Sequence, residues 1–98
     1  MEIINTPVGS KLTVALTGRL DTTTSPALEA EMKSSLDGVT ELVFDFAKLE
    51  YISSAGLRVL LFTQKTMSPK GSFVILNVHP DIMEVFDITG FSDILTIE

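Results

Sequence analysis

The sequence predicts an α/β fold: a small mixed β-sheet with helices packed on it, in the element order ββαβαβαβ. Three observations carry that prediction. Leu12, Val14 and Leu16 alternate with Lys11, Thr13, Ala15 and Thr17, the period of a strand with one face in the core. Two almost continuous apolar runs, Leu42-Val43-Phe44-Asp45-Phe46 and Ser72-Phe73-Val74-Ile75-Leu76, bracket a helical stretch from about Ser54 to Met67. With 98 residues and 45% apolar content, the chain can bury one core, so a single domain over residues 1–98 is expected.

Residues 2–7 are short and mixed in character, and Thr6-Pro7-Val8-Gly9-Ser10 reads as a turn, so they make at best an edge strand that forms a hairpin with 11–17. Gly18-Arg19-Leu20-Asp21 is expected to end the second strand. Thr22-Thr23-Thr24-Ser25 then offers several helix caps, and Pro26 suits a first helical position. Leu28, Met32 and Leu36 place an apolar stripe at helical spacing, Glu29, Glu31 and Lys33 point outward, and Gly38 closes this helix. The run 42–46 reads as a central strand covered on both faces, with Asp45 its one charged member.

Ser53 and Ser54 tip a polar loop into the next helix, and either is a natural N-cap. That helix is apolar on most of its circumference, so it is either deeply packed or keeps part of its surface for a partner. Ser68-Pro69-Lys70-Gly71 turns the chain into the strand 72–76, completing a βαβ unit with parallel strands and a right-handed crossover. Pro80 and Asp81 open a third helix with Ile82, Val85 and Phe86 inward, Gly90 ends it, and Ile94–Ile97 forms a last short strand.

Composition removes several classes of function. Seven basic against thirteen acidic residues leave a formal charge of −6, which disfavours nucleic acid and anionic membranes as partners and favours a basic protein surface. There is no cysteine, so thiolate chemistry and cysteine-held metals are excluded, and His79 is the lone histidine. No apolar run approaches the ~18 residues of a membrane span, and the first residues lack a basic-then-apolar leader, so a cytoplasmic location is expected. No Gly-x-x-x-x-Gly-Lys loop occurs, and no cofactor is implied. Ser54, His79 and an aspartate could formally supply a hydrolase triad. However, Ser53-Ser54-Ala55-Gly56 lacks the Gly-x-Ser-x-Gly elbow that exposes a hydrolase serine.

The start of the 54–67 helix carries the chemistry. Unpaired N–H groups and the positive end of the macrodipole would stabilise a negative group there, so a phosphoserine fits electrostatically. Gly56 costs about 1 kcal/mol of helix propensity relative to alanine. Its bareness admits either a partner backbone packed over the helix start or close packing of the helix on its own sheet.

Ser53-Ser54-Ala55-Gly56-Leu57, after Tyr51 and Ile52, resembles the phosphoacceptor segment of the STAS domains of bacterial anti-sigma factor antagonists, more commonly spelled Asp-Ser-Ser-Gly-Leu. Aligned on the glycine, Ser54 takes the acceptor's place, Ser53 stands at the aspartate and Ala55 at the following Ser or Thr. Gly18-Arg19-Leu20-Asp21 resembles the family's Gly-x-Leu-Asp turn and Asp45 the aspartate ending its central strand, so the resemblance covers essentially the whole chain.

The resemblance implies a binding protein rather than an enzyme: a monomer that, unphosphorylated, sequesters an anti-sigma factor that is also a serine kinase. That kinase would phosphorylate Ser54 with Mg-ATP, and a PP2C-type phosphatase would reverse the modification. Asp21, Ser53, Ser54, Ala55, Gly56 and Arg58 would meet the partner, with Asp21 lining a polar pocket beside the acceptor or, alternatively, bonding the amides of its own turn. Asp45 would hold the Ser54 loop in place by accepting its N–H groups. Ser53 could cap the helix while Ser54 turns its hydroxyl outward. A STAS scaffold in a signalling or secretion-control assembly without a sigma factor would use the same residues, and a small serine hydrolase is the reading of another class.

Overall fold

A computed structural model describes residues 1–98. The elements are β1 (Glu2–Val8), β2 (Lys11–Leu20), α1 (Ser25–Ser35), β3 (Glu41–Ile52), α2 (Ser54–Met67), β4 (Ser72–Leu76), α3 (Pro80–Thr89), a short 3₁₀ turn (Phe91–Asp93) and β5 (Thr96–Ile97). They build the expected α/β architecture: one five-stranded sheet in which strand order follows chain order. β1 is antiparallel to β2, and every later neighbour is parallel.

Because each crossover advances the same way across the sheet, crossovers of the usual right hand put all three helices on one face. Burial follows that logic. Leu12, Val14 and Leu16 of β2, Leu42, Phe44 and Phe46 of β3, and Phe73 and Ile75 of β4 are buried. Thr13, Ala15, Val43, Asp45, Val74 and Leu76 on the opposite face are only half-buried. The run 42–46 is therefore covered on one face rather than two. Leu28 and Met32 of α1, Leu57, Leu60 and Met67 of α2, and Ile82 and Phe86 of α3 close the core over the covered face. Those contacts account for the wide apolar circumference of α2, which is deeply packed: only Ser54, Arg58 and Lys65 along it are exposed.

Four boundaries differ from the sequence reading. β1 runs on through Pro7 to Val8, and the hairpin turn is only Gly9-Ser10, with Gly9 at φ +61°. Pro7 is tolerated because β1 is an edge strand. β2 continues through Gly18, Arg19 and Leu20, and β3 extends six residues past Phe46 to Ile52; the two extensions pair with one another. This pairing contains two register shifts, each placing an extra residue in β3: Ala15 pairs with Asp45 but Thr17 with Lys48, and Gly18 pairs with Leu49 but Arg19 with Tyr51. Each bulge breaks the period-2 alternation. Buried positions in β3 thus pass from Phe46 to Leu49 to Ile52 in steps of three, a pattern that does not read as a strand. At the other end, the chain turns through the 3₁₀ segment, leaving only Thr96 and Ile97 in β5.

Candidate functional site

The extensions of β2 and β3 carry their carboxyl ends beyond β4 and set them side by side. Leu20 pairs with Ile52, and the Ser53 N–H donates to the Leu20 carbonyl at 2.9 Å. Only Ser53, with extended backbone at ψ 177°, separates β3 from α2, so the helix begins directly over the strand ends. The Leu57 N–H reaches the Ser53 carbonyl at 3.0 Å, but the Ser53 hydroxyl makes no capping bond. That hydroxyl is buried without a partner. The first-turn N–H groups of Ser54, Ala55 and Gly56 therefore have no side-chain cap, and the positive end of α2 is bare. Ser54 is exposed, Ala55 half-buried and Arg58 exposed one turn further on. Ser53 occupies the capping position without performing the capping role that the sequence suggested.

Gly56 is buried, and a methyl group at its Cα would lie 2.8 Å from Ile52 Cγ1 and 2.8 Å from Leu20 Cγ. The close approach that this glycine permits is to the domain's own sheet, so the reading in which a partner backbone covers it is corrected. Leu20 and Ile52 are themselves fully packed. Gly56→Ala should therefore destabilise the isolated domain. Overpacking costs typically about 1–3 kcal/mol, and the better helix propensity of alanine returns only about 1 kcal/mol of it. Urea denaturation checks this, and an unchanged or higher midpoint would return the glycine to the interface.

Asp21 follows immediately after β2. Its Oδ1 accepts from the Thr23 N–H at 3.0 Å, the Thr23 hydroxyl at 2.7 Å and the Thr24 N–H at 3.1 Å. The Thr23 hydroxyl above all, helped by the two amides, holds this carboxyl below the usual carboxylate range despite some opposing desolvation. The turn role is thus realised, and the turn projects α1 towards α2. Between them lies a groove of about 260 Å³, lined by Thr22, Ser25, Pro26, Glu29, Ala55 and Arg58 among others.

Asp45 does not reach the Ser54 loop. Its Oδ1 accepts from the Ala47 N–H at 2.9 Å and from Asn77 Nδ2 at 3.0 Å. It sits in the body of β3 on the uncovered face, at the first bulge, and β3 ends at Ile52 rather than beside it. The expected direct support becomes indirect: Asp45 satisfies the bulge that sets the register of everything from Lys48 to Ser53. His79 ties the same bulge, with Nε2 2.7 Å from the Ala47 carbonyl. A carbonyl only accepts, so Nε2 carries the proton. Lys48–Ile52, extended, separate that carbonyl from Ser53, and the structure does not bring His79 and Ser54 together as a triad requires.

One pair at the site was invisible in the sequence. Arg19 and Tyr51 are register partners across β2 and β3, and the guanidinium lies 4.1 Å from the centroid of the Tyr51 ring. Arg19 Nε is also 3.8 Å from Asp21 Oδ2. Tyr51 is 41% exposed, so the pair forms an aromatic and cationic ledge at the carboxyl ends of β2 and β3. Only the bulged register, which no local pattern announces, places these two residues opposite each other.

No helix is long and apolar enough to cross a membrane. The model of one protein family, the STAS domain, matches residues 3–98. A Bordetella bronchiseptica protein named as an anti-sigma factor antagonist, BtrV, is 34% identical over 99 residues, covering 99% of this chain and 85% of its own. An anti-sigma factor antagonist from Mycobacterium paratuberculosis has a similar fold at a TM-score of 0.88 and 23% identity, over 98% of this chain and 83% of that one. SpoIIAA, the Bacillus cell fate determinant, is similar in both of its forms. The TM-score is 0.78 at 20% identity for the unphosphorylated protein, over 99% of this chain and 87% of that one. For the phosphorylated protein it is 0.77 at 19% identity, over 99% and 91%.

Proposed function

The chain belongs to the STAS domain family, and from that premise we propose that it is an anti-sigma factor antagonist whose binding is switched by phosphorylation of Ser54. The observation that carries this reading is the contrast between adjacent hydroxyls: Ser54 is exposed at the bare start of α2, whereas the Ser53 hydroxyl is buried. A kinase can reach the first without opening the fold. In this reading the unphosphorylated surface binds an anti-sigma factor that is also a serine kinase, and a PP2C-type phosphatase restores it after modification. The protein is then a binding module of the cytoplasm, and the enzymology belongs to its partners. The Arg19–Tyr51 ledge joins Asp21, Ser54, Ala55 and Arg58 in the contact surface, because exposed Arg and Tyr supply much of the energy of protein interfaces.

The switch follows from charge. A phosphoryl group adds about −1.5 to −2 to a chain already at −6 and must be desolvated if an interface covers it. Each 1.4 kcal/mol is tenfold in affinity, so a penalty of a few kcal/mol dissociates the complex. The positive end of α2 favours the new charge, so no refolding is needed to accommodate it.

Affinity capture on the unphosphorylated chain, with mass spectrometry of what is retained, should recover an anti-sigma factor carrying a kinase domain. With Mg-ATP, that partner should add one phosphate, mapped to Ser54. A phosphate on Ser53 would overturn the assignment of the acceptor, and a retained partner unconnected to any sigma factor would establish the scaffold role in its place.

A further inference from the structure

We propose that Arg58 is the counter-ion that receives the phosphoryl group of Ser54 within the same chain. This rests on the reading of Ser54 as the phosphoacceptor and gives the modified state a defined structure. Ser54 and Arg58 are both exposed and lie four residues apart on α2. Side chains at that spacing are neighbours, with about 5–6 Å between their Cβ atoms, and an acidic group placed N-terminal to a basic one is the favourable order.

Arg58 is also uncommitted. No carboxylate lies within 4.0 Å of it, whereas Arg19, the other arginine at this end of the sheet, is spent on Asp21 and Tyr51. Glu29 is the one acidic residue sharing the α1–α2 groove with Arg58, and it is 3.8 Å from Lys33, which offsets its charge.

The surroundings of Arg58 hold unused donors. The first turn of α2 has no side-chain cap. Ser25, only 3% exposed, lines the same groove as Ala55 and Arg58, and its hydroxyl has no partner. A buried hydroxyl without a partner is costly, and a phosphate oxygen entering the groove supplies the missing acceptor. The planar guanidinium fork can take two phosphate oxygens at once, which an ammonium group cannot match. Phosphorylation then alters the partner surface twice: it adds a dianion, and it withdraws the free cation that the unmodified surface presents.

The test uses phosphoserine introduced at position 54 during translation, so no kinase is involved. Phosphorus NMR titration at low salt reads the second ionisation of the phosphate, ordinarily near pH ~6. In the Arg58→Gln protein that pKa should rise by about 0.3–0.5 unit relative to the unsubstituted phosphoprotein, the size expected of a helical ion pair strengthened by charge-assisted hydrogen bonds. Arg58→Lys should fall between the two, and Arg19→Gln should leave the value in place. Equal values with and without Arg58, or a rise in Arg19→Gln instead, would overturn the assignment. Mapping of enzymatically added phosphate away from Ser54 would remove the premise and leave this ionisation result as measured, so the two failures are distinct.

Discussion

Ser54→Ala should take phosphate incorporation from one group per chain to none, and its complex with the anti-sigma kinase should survive Mg-ATP. Ser54 is the exposed hydroxyl at the α2 start, while its neighbour Ser53 keeps its oxygen buried. The substitution removes no capping bond, since none is made by a side chain at this helix start. Folding stability should therefore change by no more than about 0.5 kcal/mol, as is usual for a surface position. On the proposed switch, the phosphorylated wild type should bind at least about 100-fold more weakly than the unmodified protein, corresponding to some 3 kcal/mol of charge and desolvation cost. Ser54→Asp should fall short of the phosphoprotein, having about half its charge and one acceptor oxygen fewer. Intact-mass analysis and a binding titration with and without Mg-ATP measure both halves. Phosphate found on Ser53 of the alanine variant, or a complex that still dissociates with Mg-ATP, would refute the assignment.

Gly71→Ala should be the most damaging alanine substitution at any glycine of the chain. A Cβ built there would lie 1.8 Å from the Thr40 carbonyl oxygen and 2.7 Å from its carbon. Unlike the side-chain carbons that crowd Gly56, this obstacle is backbone, and it cannot rotate aside. Thr40 is also anchored on both sides: its N–H donates to the Ser10 carbonyl at 2.9 Å, and its own carbonyl accepts from Ser72 at 3.0 Å. Moving it would disturb the β1–β2 turn, the start of β3 and the start of β4 together. Overpacking against side chains typically costs about 1–3 kcal/mol, and against fixed backbone at least about 3 kcal/mol is expected. For a domain of this size that lowers the thermal midpoint by roughly 12–24 °C. Gly38→Ala is the comparison, because Gly38 sits at φ +79° over open space and should cost only about 1–2 kcal/mol of left-handed strain. Equal losses in urea and thermal unfolding would show that the Thr40 contact yields easily and does not set the local geometry.

Gly71 and Gly56 also mark the limit of what a residue type announces. Both read as glycines at element boundaries, and the chain gives no local sign of what each must clear. Thr40 is 31 positions upstream of one, and Leu20 is 36 upstream of the other. Asp21 was legible because its partners are its near neighbours Thr23 and Thr24. Asp45 was misplaced because one of its partners, Asn77, comes from the far side of a crossover, and because the strand thought to end beside it continues to Ile52.

The sequence by itself determined the α/β class, the order of the elements and the family, because these rest on short-range patterns: alternation over Leu12–Leu16, helical spacing in Leu28–Leu36, and the segment Ser53–Leu57. Only the tertiary structure decided the geometry of the site. Two bulges in β3 set which residues of β2 and β3 lie opposite one another, bring Arg19 over Tyr51 and Leu20 beside Ile52, and turn Gly56 into the sheet. A bulge is stabilised by whatever satisfies its displaced backbone groups, here Asp45 on the Ala47 N–H and His79 on the Ala47 carbonyl. His79 lies 32 residues away along the chain, so the first of these bulges is held in part by long-range hydrogen bonding that local periodicity does not encode.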